Sequence, residues 1–454
     1  LRKPGRDAIL PRRPEEDMAN PFRAFLNIRR EELGLSLLMF SYFFFVITTF
    51  WILKPIKKGL FIDFYRESGF TLLAWNMRAS QAELLAKILN MLVAMVAVTV
   101  FTLLARRFRR QQLTYVFTAF FMACYAAYAI ALRAPDGASV WTFYLFGDLF
   151  STLMVATFFA FLNDSTTPDS AKRLYGLVGL GGVLGGVFGS TFVRLWIERV
   201  AEPQWLWICF GIAVVIAGVA AAAGRIVDRS PPPAAPDRPS ADAPAGGGNP
   251  ALEGAKLVFG SRYLLSVVGI VGLYEIVSTI MDFQFTATVE HYLAGDELRK
   301  HFSTVFSITN WASMLVQFFL TSFVMTRFGL TTALLVLPVA ALSGSSVFLA
   351  LPLLWPGSLL NTADNGFSYS INQSAKEALY VPTTRREKYQ AKAFIDMFLQ
   401  RFAKALAVVL SLGITTAFAD FSSVRWLSLV TIAVVVLWIV AVRYAGREFR
   451  ARAG

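Results

Sequence analysis

The chain has 454 residues; 56% are hydrophobic, 41 are Phe, only 16% are charged, and the mean hydropathy is +0.54. No soluble core of this size could hide so much apolar surface, which excludes a soluble globular protein and leaves a polytopic membrane protein with length for about a dozen spans. Two cysteines, Cys124 and Cys209, and two histidines, His291 and His301, exclude a disulfide scaffold and argue against a metal site, while the net charge of +13 must first be tested as a topology signal.

Residues 1–34 are polar and basic. Met18 is a candidate start, with residues 1–17 upstream of it. Asn20-Pro21 reads as an N-cap followed by Pro at the first helical position. It would open a short basic helix carrying Phe22, Phe25 and Ile28, suited to the membrane surface. Apolar windows follow at 35–54, 82–104, 113–132, 140–162, 175–197, 204–224, 263–285, 302–325, 330–351, 356–379, 393–418 and 424–443, which predicts twelve helices. Residues 228–250 are rich in Pro, Ala and Gly and read as a flexible linker. The expected organisation is an N-terminal segment to 34, a six-helix bundle over 35–224, a linker over 225–262, a second six-helix bundle over 263–443 and a basic tail over 444–454. Ala251 to Gly260 could form a second surface helix. Two such halves suggest the all-α architecture of the major facilitator superfamily, with a central site alternating in access. A shift of 216 residues superposes Asp148 on Asp364 and Lys172 on Lys388, a weak internal repeat.

With both termini on one side, that side collects 28 Lys and Arg and the opposite loops collect seven. The excess of positive charge predicts cytoplasmic termini and an inner-membrane location, and it accounts for most of the +13 without nucleic acid. Span 5 holds the GxxxG pairs Gly182/Gly186 and Gly185/Gly189, which predict close helix packing. No nucleophile arrangement and no metal-ligand spacing occurs, so neither an enzyme nor a cofactor is expected.

Ionisable groups at membrane depth cost roughly 2.5–3.5 kcal/mol on insertion scales unless paired or hydrated, so they mark candidate function. Lys54, Lys57 and Lys58 share a helix face near the expected end of span 1, beside Pro55, which can break the helix. Span 4 carries Asp148, span 7 Glu275 and Asp282, span 10 Asp364 and Lys376, and span 11 Asp396, Arg401 and Lys404. The cations are candidates for binding an anionic substrate, and the acids are candidates for holding them when the site is empty. Bland readings stand beside these. The three lysines of span 1 could snorkel at the outer interface, and Lys404 could be a structural partner of Asp282 or Glu275.

These stretches resemble the ATP/ADP translocases of intracellular bacteria and plastids, with their bacterial relatives. Ile52-Leu53-Lys54-Pro55-Ile56-Lys57 is similar to I-L-R-D-T-K. Gly147-Asp148-Leu149, followed by Phe158 to Asp164, resembles A-E-L-W-G and F-W-x-F-A-N-E. Ala171 to Tyr175 with Gly179-Leu180-Gly181 is similar to A-K-R-F-Y and G-L-G. Lys376 to Pro382, then Lys392 to Asp396, with Arg401 and Lys404, resembles K-E-M-A-Y-I-P, K-A-A-I-D and R-F-G-K. The resemblance implies nucleotide exchange through intramembrane charges at Lys57, Asp148, Glu275 and Lys376. The family's Arg and following acid in span 1 are here Lys54 and Pro55, its span 4 Glu is Asp148, and its G-K-S-G-G in span 11 is Ala403 to Ala407, so selectivity can differ. The reading is a monomeric secondary transporter of a nucleotide-like anion in a lipid bilayer. Its alternatives are a facilitator for a lipid, an amphiphile or a proton-coupled metabolite, and a non-transporting anchor or sensor.

Overall fold

The structure, a computed structural model, describes residues 32–166, 168–229, 250–384, 387, 391–392, 394–417 and 420–453. The helix expected from Asn20 and residues 230–249 of the linker lie outside them.

The first half comprises α1 (Leu33–Arg66), a hairpin of β1 (Phe70–Leu72) and β2 (Trp75–Met77), α2 (Ala79–Arg107), α3 (Arg110–Ala131), α4 (Gly137–Asp164), α5 (Pro168–Trp196) and α6 (Glu202–Arg229). After α7 (Pro250–Gly260) the second half runs through α8 (Arg262–Tyr292), α9 (Gly295–Leu315), α10 (Ser322–Ala350), α11 (Leu354–Phe367), α12 (Gln373–Ala378), α13 (Gln400–Ala417) and α14 (Leu427–Ala453). A wide π turn over Val316–Thr321 joins α9 to α10, and Gly329, at φ +80°, folds the joined segment into two antiparallel rods. Only a residue without Cβ reaches that backbone region cheaply. Further wide turns, Ser368–Asn372 and Ile395–Leu399, interrupt spans 10 and 11. Nine of the described helical segments are long and apolar enough to cross a membrane, and counting the rods on either side of Gly329 and these two interrupted spans is consistent with the twelve expected.

The hairpin was not expected. Its antiparallel register pairs Phe70 with Met77 and Leu72 with Trp75, and Leu73 at its tip is 98% exposed. After α3, Asp136 caps α4. Its carboxylate accepts from the Ser139 backbone N–H at 2.9 Å, and its own N–H donates to Ser139 Oγ at 3.0 Å. Bonding to Ser139 holds the Asp136 carboxyl below its ordinary range.

Span 1 corrects the expectation most. The helix does not end near Lys54 or break at Pro55; it continues to Arg66. Lys54, Lys57 and Lys58 therefore sit inside a 34-residue rod rather than at its end, with Lys57 and Lys58 buried against the rest of the protein.

The glycines of α5 let α1 approach it closely. A methyl added at Gly181 would lie 2.7 Å from the Phe40 carbonyl oxygen, and one at Gly189 would lie 2.6 Å from that of Thr48. One at Gly185 would collide with the Phe44 carbonyl. Gly181, Gly185 and Gly189 thus form a stripe, four residues apart, against which α1 lies backbone to backbone. Thr48 Oγ1 donates to the Gly185 carbonyl at 3.3 Å.

Apolar packing divides into two clusters, one centred on α1 to α6 and the other on α8 to α14. Phe285 and Val289 of α8, with Leu298, Phe302, Val305 and Phe306 of α9, belong to the first cluster. The second half therefore closes on the first at the end where α1 finishes, called here the Arg66 face.

Candidate functional site

The site is built from charges that six helices, α1, α2, α4, α8, α11 and α13, bring together. Lys57 on α1 is 5% exposed and ion-paired with Asp148 on α4. Its ammonium also donates to the Tyr144 carbonyl at 3.3 Å and lies 4.6 Å from the Tyr144 ring centroid. Gly147 makes this approach possible, because a methyl there would stand 2.6 Å from Lys57 Cδ. Asn90 on α2 donates to the other oxygen of Asp148.

Lys58, the next residue of α1, faces the opposite half. Its ammonium lies 3.0 Å from Asp282 on α8 and 3.2 Å from Glu83 on α2. Lys87, one turn after Glu83, also pairs with Asp282, and Asn361 on α11 donates to that carboxylate at 3.2 Å. Tyr144 donates its hydroxyl to Glu83 at 2.8 Å. A buried carboxylate stays ionised only with such partners. Glu83, 1% exposed in its side chain, shares two cations with Asp282.

Glu275 and Asp282, on one face of α8, serve different neighbours. Glu275 meets Lys404 on α13 at 3.5 Å, and the Lys404 side chain is 49% exposed. Asp364 on α11 accepts from Ser278 at 2.6 Å. Arg401 donates to the Met91 carbonyl at 3.3 Å, tying α13 to α2 across the halves. Lys376 is half-buried on α12, further towards the end of the bundle where α1 begins, and has no ion-pair partner among the described residues. The side chain of Asp396 lies outside the described ones.

Lys54 is different again. No carboxylate lies within ion-pair distance of it among the described residues. Its ammonium faces Trp51 at 4.5 Å, Phe306 at 5.0 Å, Tyr369 at 5.8 Å and Phe50 at 5.9 Å from the ring centroids. Cation–π attraction of this kind replaces an ion pair.

Sequence reasoning passed over Glu83, Lys87 and Asn90. Their signal was present, since an acid and a base four residues apart in an apolar window form a self-compensating pair. It also passed over the aromatic residues about Lys54, which meet only through the fold.

Near the Arg66 face the halves are tied repeatedly. Both oxygens of Glu290, near the end of α8, accept backbone N–H groups at the start of α2, from Ala79 and Ser80, each at 2.9 Å. Arg66 donates to the Glu290 carbonyl at 3.1 Å, and Asp63 accepts from Gly295 at 2.9 Å. Arg299 pairs with Glu202, and Lys300 with Glu198 at 2.7 Å. Gln81 donates to Thr415 at 3.0 Å.

Residues 352–449 match the family described as TLC ATP/ADP transporter. ADP,ATP carrier protein 1 of Chlamydia muridarum is 23% identical over 68% of this chain and 66% of its own. The chloroplastic ADP,ATP carrier protein 1 of Arabidopsis thaliana is 21% identical over 68% of this chain and 54% of its own. The chain thus spans at most 66% of the length of these two relatives. Among solved structures, the nucleoside transporter NupG covers 94% of this chain and 98% of its own at 12% identity and a TM-score of 0.59. FucP, a Major Facilitator Superfamily transporter in the outward conformation, covers 90% and 99% at 13% identity and a TM-score of 0.50. These two likenesses speak for the fold. Residues 76–391, well over half the chain, match the Major Facilitator Superfamily, and the chain belongs to that superfamily.

Proposed function

We propose that this integral membrane protein is a secondary transporter that exchanges nucleotides, or closely related phosphorylated anions, by alternating access. The observation that carries the reading is the charge balance at mid-depth. Lys54, Lys57, Lys58, Lys87, Arg401 and Lys404 stand with Glu83, Asp148, Glu275, Asp282 and Asp364, leaving positive charge over even before Lys376 is added. Surplus cations in a low-dielectric site favour a polyanion as their partner. The matched relatives are ADP,ATP carriers by name, which supports the nucleotide as that polyanion.

In this reading the moving bodies are the bundles 35–224 and 263–443. The Lys57–Asp148 and Lys404–Glu275 pairs hold the cations while no substrate is present. Incoming phosphate competes with those carboxylates, and the empty carrier is caught by its own pairs, which favours exchange over net flux. The loop charges, 28 against seven, support cytoplasmic termini in a bacterial inner membrane. The ties at the Arg66 face would then lie on the outer side, which supports reading this state as closed to the outside. A monomer suffices for this cycle.

Purified protein should gain thermal stability from ADP or ATP. Liposomes holding it should take up labelled nucleotide only when preloaded with a counter-nucleotide. Wild-type exchange by a folded Lys376→Ala variant would overturn the assignment of that residue, and uptake into empty liposomes would overturn the exchange mechanism.

A further inference from the structure

Lys57, Lys58 and Lys87 each meet a carboxylate, whereas Lys54 meets rings. Those rings come from both halves: Trp51 on α1, Phe306 on α9 and Tyr369 on the wide turn after α11. They stand at steep angles. Trp51 and Phe306 are 6.1 Å apart at 66°, and Trp51 and Tyr369 are 6.3 Å apart at 87°. Trp51 and Phe306 are buried, but Tyr369 is 52% exposed, so the box has rigid inner walls and one accessible wall. Gly186 lies behind it, where a methyl would approach Trp51 Nε1 to 3.2 Å. The wide turn adds one residue to the helical repeat and re-aims the side chains that follow Asp364.

The geometry points to an aromatic subsite, formed by Trp51, Phe306 and Tyr369, that receives the planar ring of the substrate, with Lys54 as its placeholder in the empty carrier. The inference rests on the nucleotide reading and deepens it. The reasoning is one of competing partners. A phosphate is a far stronger partner for an ammonium than a ring face, because it offers charge and directed hydrogen-bond acceptors. Arrival of phosphate draws Lys54 out of the box. The vacated ring faces are apolar and preorganised, and an aromatic base can stack on them whatever its hydrogen-bonding edge. One substrate then touches α1, α9 and the wide turn after α11 together, so occupancy of the box reports to both halves. The selected class is an anion with an aromatic ring, over a bare polyphosphate or a sugar phosphate.

The test is titration of purified full-length protein with ADP and, separately, with inorganic pyrophosphate, following binding by calorimetry. Wild type is expected to bind ADP at least tenfold more tightly than pyrophosphate. Tyr369→Leu should weaken ADP about tenfold and leave pyrophosphate within twofold, while Tyr369→Phe, which keeps the ring, should restore ADP binding. Lys54→Gln should weaken both ligands. Melting temperatures of the unliganded variants check that each is folded. Equal affinity of wild type for the two ligands, or a Tyr369→Leu variant that loses both in proportion, would overturn the subsite while leaving phosphate recognition intact. Binding of neither ligand by folded wild type would overturn the nucleotide reading as well.

Discussion

Glu290 offers the sharpest perturbation, because its carboxylate is the partner of a helix end that belongs to the other half. The first turn of α2 has backbone N–H groups with no acceptor inside the helix. Two of them, from Ala79 and Ser80, point at Glu290, which is only 8% exposed. Replacement by Gln keeps one acceptor oxygen, sets an amide N–H against the other donor and removes the charge that favours a helix N-terminus. A hydrogen bond to a charged group contributes about 1.5–3 kcal/mol net. These contacts exist only while the Arg66 face is closed, so Glu290→Gln should lower the closed-to-open ratio roughly 10- to 150-fold. A shift of about 100-fold takes a population about 99% closed to about half. Spin labels at Leu73→Cys, on the exposed hairpin tip, and Leu353→Cys, in the loop between α10 and α11, read the separation of the halves at that face. Pulsed dipolar spectroscopy in liposomes should show a single short distance for the parent and a second, longer one for Glu290→Gln. An unchanged distribution in a folded variant would refute the argument that this cap holds the face shut.

Other expected outcomes follow from the same contacts. Gly147→Ala should displace the Lys57 stem and loosen its pair with Asp148, lowering the exchange rate about tenfold without loss of folded protein; a wild-type rate in liposomes would count against that geometry. Lys58→Met leaves Glu83 and Asp282 to share Lys87 alone, and breaking a buried pair from one side costs about 3–5 kcal/mol. Its melting temperature in detergent should fall sharply, and adding Glu83→Gln should recover part of the loss; strictly additive effects would show that Lys58 and Glu83 are not coupled. Gly185→Leu should abolish folding or lower the melting point by many degrees, because α1 cannot retreat from α5 over the whole stripe. A stable Gly185→Leu carrier would mean that the two helices do not touch there.

Much of this architecture is legible in the sequence because the bilayer constrains it so heavily. The apolar windows show most spans, and the cost of charge at membrane depth singles out Asp148, Asp282 and Lys404 without any partner in view. Pro55 misleads because the usual penalty for an interior proline assumes a helix free to bend away. Here α1 is held before Pro55 by the glycine stripe of α5, which meets Phe40, Phe44 and Thr48, and after it at Gly147, where Lys57 packs, and it continues to Arg66. Glu83 and Lys87 escape attention because each appears to answer the other locally, whereas the fold brings them to Asp282, far along the chain. The box around Lys54 joins Trp51 to Phe306 and Tyr369, and nothing in local periodicity marks one Phe among 41 as the wall of a site.

The three wide turns described above, Val316–Thr321, Ser368–Asn372 and Ile395–Leu399, all fall in the second half of the chain. Each departs from the ordinary hydrogen-bond ladder and is a place where a rod can flex at low cost. Among the described residues the first half has no such turn, and its longest helix is clamped against glycine. The two halves are therefore unequal as mechanical parts. The first acts as a stator that keeps Lys57 and Asp148 in register, and compliance is concentrated in the second, next to Asp364, at Tyr369 and in the turn just before Arg401.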